Sequence, residues 1–184
     1  MDLEYNPDIP LLFPAPLIDR LVAHCRKNLE INSQSNNNIE RKAYGLLAGR
    51  QSGTAIEICR CFPLLQNARS REPFKSRMDL LMANHAIVSE TPLDHRGWVA
   101  DPEELMEKIH QCHSENIYLL GTYHMHRVAW SHDPIRDTPT KIDAVLAKQS
   151  RMLMVIVSMV NPASPIIRAF YEGITSQEYP IIYR

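Results

Sequence analysis

The sequence predicts a single mixed α/β domain of the α+β kind, with a largely antiparallel sheet flanked by helices. The chain has 184 residues, the length of one domain with its own core. Hydrophobic residues make up 45% and charged residues 22%, which is typical of a globular protein and excludes fibrous and wholly disordered classes. Segments with helical spacing alternate with short apolar runs, and this order favours a layered fold of helices on a sheet.

The helices are predicted from the spacing of apolar residues and from end signals. Apolar residues recur three and four positions apart between Leu17 and Leu29, which predicts a helix over 16–31, and the polar run that follows predicts a loop over 32–38. Asp101-Pro102-Glu103-Glu104 combines a capping residue, a first-turn proline and two acids, so a helix is expected over 101–116. Two further helices are predicted over 78–88 and 138–150.

The strands are predicted from alternating or continuous apolar runs. Residues 43–49 and 56–62 form a predicted hairpin, whose first strand is buried on both faces. The other predicted strands cover 117–123, 152–160, 166–171 and 179–183. The polar and basic stretch 66–77 is predicted to be an exposed loop. We therefore expect an N-terminal extension over 1–14 and the folded domain over 15–184.

Charge and cysteine content narrow the functional classes. The 20 basic residues are balanced by 21 acidic residues, for a formal net charge of -1, so nucleic acid is not an expected partner. The acidic, proline-rich N-terminus has no secretory signal, and the longest apolar run is far below the ~20 residues of a membrane helix. A cytoplasmic protein with no membrane partner is expected. The four cysteines include no CxxC pair, which predicts reduced thiols rather than a thiolate zinc site.

Two histidines carry the strongest chemical signal. His124 and His126 follow an apolar strand at positions i and i+2, so both rings project from one face and can share a metal ion. The loop that follows contains His132, Asp133 and Asp137, and the spacing alone does not choose the third ligand among them. Two imidazoles and one carboxylate would leave a fourth position open, as in catalytic zinc sites.

With these residues, the chain resembles the JAMM or MPN+ (JAB domain) metalloproteases over about residues 15 to 175. The family motif is HxH, seven residues, Ser, two residues and Asp, preceded by an upstream strand that reads roughly GLLxG. His124-Met125-His126, Asp137 and Gly45-Leu46-Leu47-Ala48-Gly49 match these parts. The resemblance implies a JAB/MPN-like fold and a zinc ion held by His124, His126 and Asp137.

The chain departs from the family pattern at positions that serve catalysis. Lys42 stands where the family has a glutamate base, Pro134 where it has the serine, and Arg127 where a proline is usual. Glu40 lies two residues before Lys42 and is one candidate for the base; Lys42 with a depressed pKa is the other. Ser131 is the candidate for the missing hydroxyl.

The resemblance implies a zinc-dependent peptidase or isopeptidase. Its expected reaction is hydrolysis of an amide bond at the C-terminal tail of a ubiquitin-like or sulfur-carrier protein, with the tail added to a sheet edge beside the metal. The alternative is a catalytically inactive MPN-type scaffold or binding domain, as the changes at Lys42 and Pro134 suggest. A homodimer, in which a second copy of the chain is the partner, is a further possibility.

Overall fold

The computed structural model of the chain describes residues 3–31, 42–87, 92–93 and 96–184. Within these residues an eight-stranded sheet is accompanied by four α-helices and one 3₁₀ turn. The helices are α1 (Ala15–Ile31), α2 (Phe74–His85), α3 (Pro102–Ser114) and α4 (Lys141–Ala147). The strands are β1 (Leu11–Phe13), β2 (Tyr44–Gln51), β3 (Ile56–Pro63), β4 (Tyr118–His126), β5 (Leu153–Ser158), β6 (Ile166–Tyr171), β7 (Glu178–Tyr179) and β8 (Ile181–Tyr183).

The sheet is mixed, and its order is β7-β6-β5-β4-β2-β3-β1-β8. The pairs β2–β3, β2–β4, β5–β6 and β6–β7 are antiparallel, whereas β4–β5, β1–β3 and β1–β8 are parallel. The predicted α+β class and the predicted β2–β3 hairpin are confirmed. Strand β4, which carries both histidines, lies between β2 and β5 near the middle of the sheet.

Both faces of β2 are buried, as the sequence predicts, because successive residues point to opposite faces. Leu47 packs on one face, in a core that includes Leu21 and Cys25 of α1. Leu46 and Ala48 pack on the other face, in a cluster that includes Cys112 of α3. The sheet is therefore covered on each side by one of the two longest helices, and its central strands are shielded from water.

The predicted helices and loops do not all have the same outcome in the structure. Helix α1 confirms the prediction over 16–31, and α3 begins as predicted, with the Asp101 carboxylate accepting from the backbone N–H groups of Glu103 and Glu104. The stretch 66–77 is not a plain exposed loop, because it contains a 3₁₀ turn and the first residues of α2. The loop predicted over 32–38 lies outside the described residues.

The stretch 66–77 is ordered by a buried arginine. Arg69 is only 3% exposed, its side chain pairs with Asp79 of α2, and its Nε donates to the carbonyl oxygen of Arg96 at 2.9 Å. A buried guanidinium requires such partners, since its desolvation is otherwise unfavourable. The basic composition of 66–77 predicts that its charged side chains are exposed. This prediction is wrong for Arg69.

Part of the predicted N-terminal extension belongs to the sheet. Leu11 and Phe13 are fully buried in β1, which pairs in parallel with β3 and β8. The strand has three residues, too few to show an alternating pattern in the sequence.

Two further observations concern cysteines and membrane spans. All four cysteines, Cys25, Cys59, Cys61 and Cys112, are free thiols. Among the described residues, no helix combines the length and the apolar character that crossing a bilayer requires.

Close packing of β4 against β5 predicts a specific sensitivity to substitution. A Cβ atom added at Gly121 would lie 2.2 Å from the carbonyl oxygen of Leu153, which is backbone and cannot turn away. We expect Gly121→Ala to lower the free energy of unfolding by roughly 1–3 kcal/mol, since overpacking a well-packed interior costs about that much. Urea denaturation of the two proteins measures the difference.

Gly53→Ala is the matched control, because a Cβ at Gly53 meets no atom within 4 Å. It should leave the urea midpoint nearly unchanged. Equal midpoints for the Gly53→Ala and Gly121→Ala variants would contradict the packing of β4 against β5 described above.

Candidate metal centre

Strand β4 positions both histidines of the centre. His124 pairs with Tyr44 of β2 and with Ile156 of β5, and His126 pairs with Ser158 of β5. Because the two histidines are two residues apart on one strand, their rings project from the same face. Strand β5 pairs with both histidines and β2 pairs with His124, so the sheet holds the backbone at both positions.

A carboxylate from the first turn of α4 completes the group. Thr140 caps this helix: its Oγ1 accepts from the Asp143 backbone N–H at 3.4 Å. In return, Asp143 Oδ2 accepts from both the backbone N–H and the hydroxyl of Thr140 at 2.7 Å. This reciprocal capping box holds the carboxylate at the helix start, facing the two imidazoles.

The possible ligand atoms of the three side chains lie close together. The two Nε2 atoms of His124 and His126 are 3.1 Å apart; His124 Nε2 lies 3.4 Å from Oδ1 of Asp143, and His126 Nε2 lies 3.4 Å from Oδ2. Ligands at 2.0–2.1 Å from a tetrahedral zinc ion stand about 3.3 Å from one another. The His124, His126 and Asp143 cluster could therefore hold a metal ion.

A second contact orients His126 for this role. Its Nδ1 lies 3.1 Å from the carbonyl oxygen of Arg136, and this oxygen can only accept. Nδ1 must then be the donor, which leaves the lone pair of Nε2 of the neutral ring pointing into the cluster. On the other side, the His124 ring stacks on Tyr44, and Tyr44 stacks on Trp98.

Burial and charge favour the ionisation states that a metal requires. Burial lowers the pKa of His126, which favours the neutral imidazole, although Asp143 opposes this shift. Burial alone would raise the pKa of Asp143, but His124 and His126 outweigh it and hold the pKa of that carboxyl well below its usual range. A neutral His126 imidazole and an ionised Asp143 carboxylate are the forms in which these two groups bind divalent metals.

The predicted third ligand, Asp137, is not part of the cluster that could hold a metal ion. Asp137 Oδ2 instead lies 3.2 Å from Nη1 of Arg168 on β6. Arg168 also donates to both carboxylate oxygens of Glu178. Asp137 is therefore held in an ion-pair network on the β6 side, and the carboxylate that faces the two histidines is that of Asp143.

The sequence did contain a signal for Asp143. The Ser-x-x-Asp spacing of the JAMM motif recurs six residues later, as Thr140-x-x-Asp143. The same four residues have the form of a helix-capping signature. This signature was missed because the helix was predicted to begin at residue 138, which would place Thr140 inside it. In the structure, α4 begins at Lys141 with Thr140 as its cap.

The other predicted site residues have three different outcomes. Lys42 lines the groove above the cluster, and its Nζ donates to the carbonyl oxygen of Gly97 at 2.8 Å. Ser131 is exposed in a turn where Trp130 and Asp133 exchange backbone hydrogen bonds, and it lines the same groove. Glu40 lies outside the described residues.

The groove is an open cavity of about 1040 Å³ with the cluster in its wall. Both tryptophans of the chain, Trp98 and Trp130, line it, together with apolar residues of α2 and α4 such as Met78, Met82 and Ile142. An apolar wall with a few converging polar groups is typical of a ligand site. The cluster is thus accessible to a molecule much larger than water.

Comparisons with known proteins show the fold alone. No protein-family model matches the chain, and no curated protein sequence matches it. Among solved structures, the chain is similar to the solution structure of protein DSY2949 from Desulfitobacterium hafniense, with a TM-score of 0.61 and 21% sequence identity. The match covers 95% of this chain and 92% of that protein.

The cluster predicts which carboxylate controls metal affinity. Asp143→Asn removes a charged ligand, so we expect the zinc affinity to fall by at least about 100-fold, more than loss of an outer-shell partner costs. Competition with a chromophoric chelator measures the affinity, and elemental analysis after dialysis measures the bound zinc.

Asp137→Asn is the matched control because it changes the same chemical group in the same segment of the chain. It should bind zinc as tightly as the unsubstituted protein. Loss of zinc in Asp137→Asn, with retention in Asp143→Asn, would restore Asp137 as the ligand.

Proposed function

We propose that this protein is a zinc-dependent peptidase or isopeptidase of the JAMM type. The observation that carries the proposal is the cluster of His124, His126 and Asp143 in the wall of an open groove. Strand β2, which matches the family's upstream strand, pairs directly with the histidine strand β4 and brings Lys42 to the groove. The Thr140-x-x-Asp143 spacing supplies the part of the motif that Asp137 does not.

The donor set supports zinc as the metal. Two imidazole nitrogens and one carboxylate oxygen are common zinc ligands, and three protein ligands leave one position open. When bound at such a site, zinc polarises a carbonyl group and lowers the pKa of a coordinated water to about 7.

The residues of the chain itself would hold this chemistry in place. The carbonyl oxygen of Arg136 keeps the His126 ring in the tautomer that presents Nε2. The Thr140 hydroxyl donates to the Asp143 carboxylate, so it orients a ligand. The apolar wall of the groove excludes water from the substrate, which strengthens electrostatic interactions there.

The surroundings of Lys42 bear on the proposed proton acceptor. Lys42 Nζ donates a hydrogen bond to the carbonyl oxygen of Gly97 at 2.8 Å, as a group that positions residues 96–99 along the groove would do. In the proposed mechanism this contact gives Lys42 a positioning role, and Glu40 is the proposed base. Glu40 then remains the candidate to accept a proton and to return it to the leaving amine.

The proposed substrate is the C-terminal tail of a ubiquitin-like or sulfur-carrier protein. Addition of this tail as a new strand is not available on β4 beside His124, because β4 pairs there with both β2 and β5. The open groove instead offers an extended segment access to the cluster.

A metal-binding scaffold without catalysis is the second candidate, and one observation favours it. Among the described residues that line the groove, Asp143 is the only carboxylate, and it faces the histidines as a ligand. A protein that binds a partner but does not transfer protons needs no second carboxylate at this position.

Substitution at Glu40 and Lys42 distinguishes the two candidates. If Glu40 is the base, Glu40→Gln should lower the rate of cleavage of a ubiquitin-like fusion by roughly 10² to 10⁴, while the zinc content stays intact. His126→Ala should abolish both zinc binding and cleavage. Turnover assays and elemental analysis on the same samples provide the two readouts.

Lys42→Glu tests the alternative, since it restores the family's residue at the family's position. The enzyme should retain or gain activity with this change, and Lys42→Ala should be mild. A zinc-loaded protein that gains cleavage only on Lys42→Glu would be an inactive family member, and the enzyme assignment would then be wrong.

A further inference from the structure

Arg136 is a buried arginine with few partners at the edge of the metal centre. It is 7% exposed, and its Nε and Nη1 atoms have no hydrogen-bond acceptor among the described residues. Its ion-pair partner is Asp133, whose Oδ2 lies 3.6 Å from Nη1, beyond hydrogen-bond distance. A guanidinium removed from water without acceptors is unfavourable, so this group favours an additional anionic partner.

The position of Arg136 is tied to the metal ligands. Its carbonyl oxygen accepts from His126 Nδ1, and its backbone has a φ of 57°, a left-handed conformation that non-glycine residues rarely adopt. The ring of Trp130 covers the guanidinium, with Cζ 3.2 Å from the ring centroid. These contacts fix the plane of the guanidinium and direct ligands toward its edge.

The groove around Arg136 is positively charged although the chain as a whole is nearly neutral. Lys42, Arg96, Arg127 and Arg136 line it, and the only acidic side chain among its described lining residues is Asp143. The formal net charge of the chain is -1, so this excess of basic over acidic side chains is a local feature of the groove. Such a field attracts anionic ligands and repels cationic ones.

We propose that Arg136 binds a free carboxylate that the substrate carries beside its scissile amide bond, and that it thereby selects carboxylate-bearing substrates. This inference rests on the proposed function, since the amide must reach the adjacent cluster. Trp130 covers one face of the guanidinium, so a planar carboxylate entering from the groove would meet its edge, and charge-assisted hydrogen bonds in a dry site are strong. Arg136 is a specificity-determining residue under this proposal.

Two small probes test the proposal without turnover. N-benzoylglycine carries a carboxylate next to an amide, and N-benzoylglycinamide replaces that carboxylate by an uncharged group of the same shape. Calorimetric titration of the zinc-loaded full chain should give an affinity for the acid at least about tenfold above that for the amide. The metal-free protein should keep this preference, because Arg136 rather than zinc is its source.

Matched variants assign the preference to one side chain. Arg136→Met should abolish it, whereas Arg127→Met, which removes another cation of the same groove, should retain it. The proposal would be overturned by any of three results. These are equal affinities for the two probes, loss of the preference in both variants, and loss of the preference on zinc removal. Tighter Arg136-dependent binding of inorganic phosphate would also overturn it, in favour of a phosphorylated ligand.

Two further outcomes separate this inference from the proposed function. Zinc uptake without Arg136-dependent binding contradicts the inference alone, while Arg136-dependent binding without zinc uptake contradicts the proposed function alone. If Arg136→Met fails to fold, Arg136→Lys replaces it, because lysine keeps the charge but lacks the planar pair of donors. Affinity for N-benzoylglycine should then fall several-fold, and an unchanged affinity would contradict the proposal.

Discussion

The candidate centre depends on one strand that is held on both sides. Strand β4 pairs with β2 as far as His124 and with β5 from Gly121 to His126, and Gly121 lets the backbone of β5 approach it without a clash. Two histidines two residues apart on such a strand project from the same face. The sheet therefore brings the two rings together, with 3.1 Å between their Nε2 atoms, and the third group comes from a helix.

Two local interactions turn this histidine pair into a site for a cation. The capping box of Thr140 and Asp143 begins α4 and also aims its carboxylate at the rings, so one interaction stabilises the helix and positions the ligand. The carbonyl of Arg136 fixes the His126 tautomer, and the unusual backbone conformation of Arg136 is part of that contact. Orientation of the ligands is thus provided by the backbone as much as by side chains.

The sequence predicts the parts of this arrangement that depend on short-range patterns. The histidine pair could be predicted because strand residues alternate faces. Helix α3 could be predicted because four consecutive residues form its cap and first turn. Asp143 was missed because the length of the loop after His126 decides which carboxylate faces the histidines. The fixed spacing of the family motif predicted Asp137 instead. That residue has a partner, Arg168, more than thirty positions away, and no local pattern shows such a contact. Strand β1 was missed for the same reason, since its partners β3 and β8 are distant in sequence. The burial of Arg69 was missed because it depends on tertiary contacts with Asp79 and with the carbonyl oxygen of Arg96.

The location of the metal is the central claim, and anomalous diffraction from zinc-soaked crystals tests it most directly. Data collected on both sides of the zinc absorption edge should show one peak at about 2.0–2.2 Å from Nε2 of His124, Nε2 of His126 and one carboxylate oxygen of Asp143. A zinc peak bound by Asp137 in place of Asp143, or a peak at other residues with none at this cluster, would contradict the account.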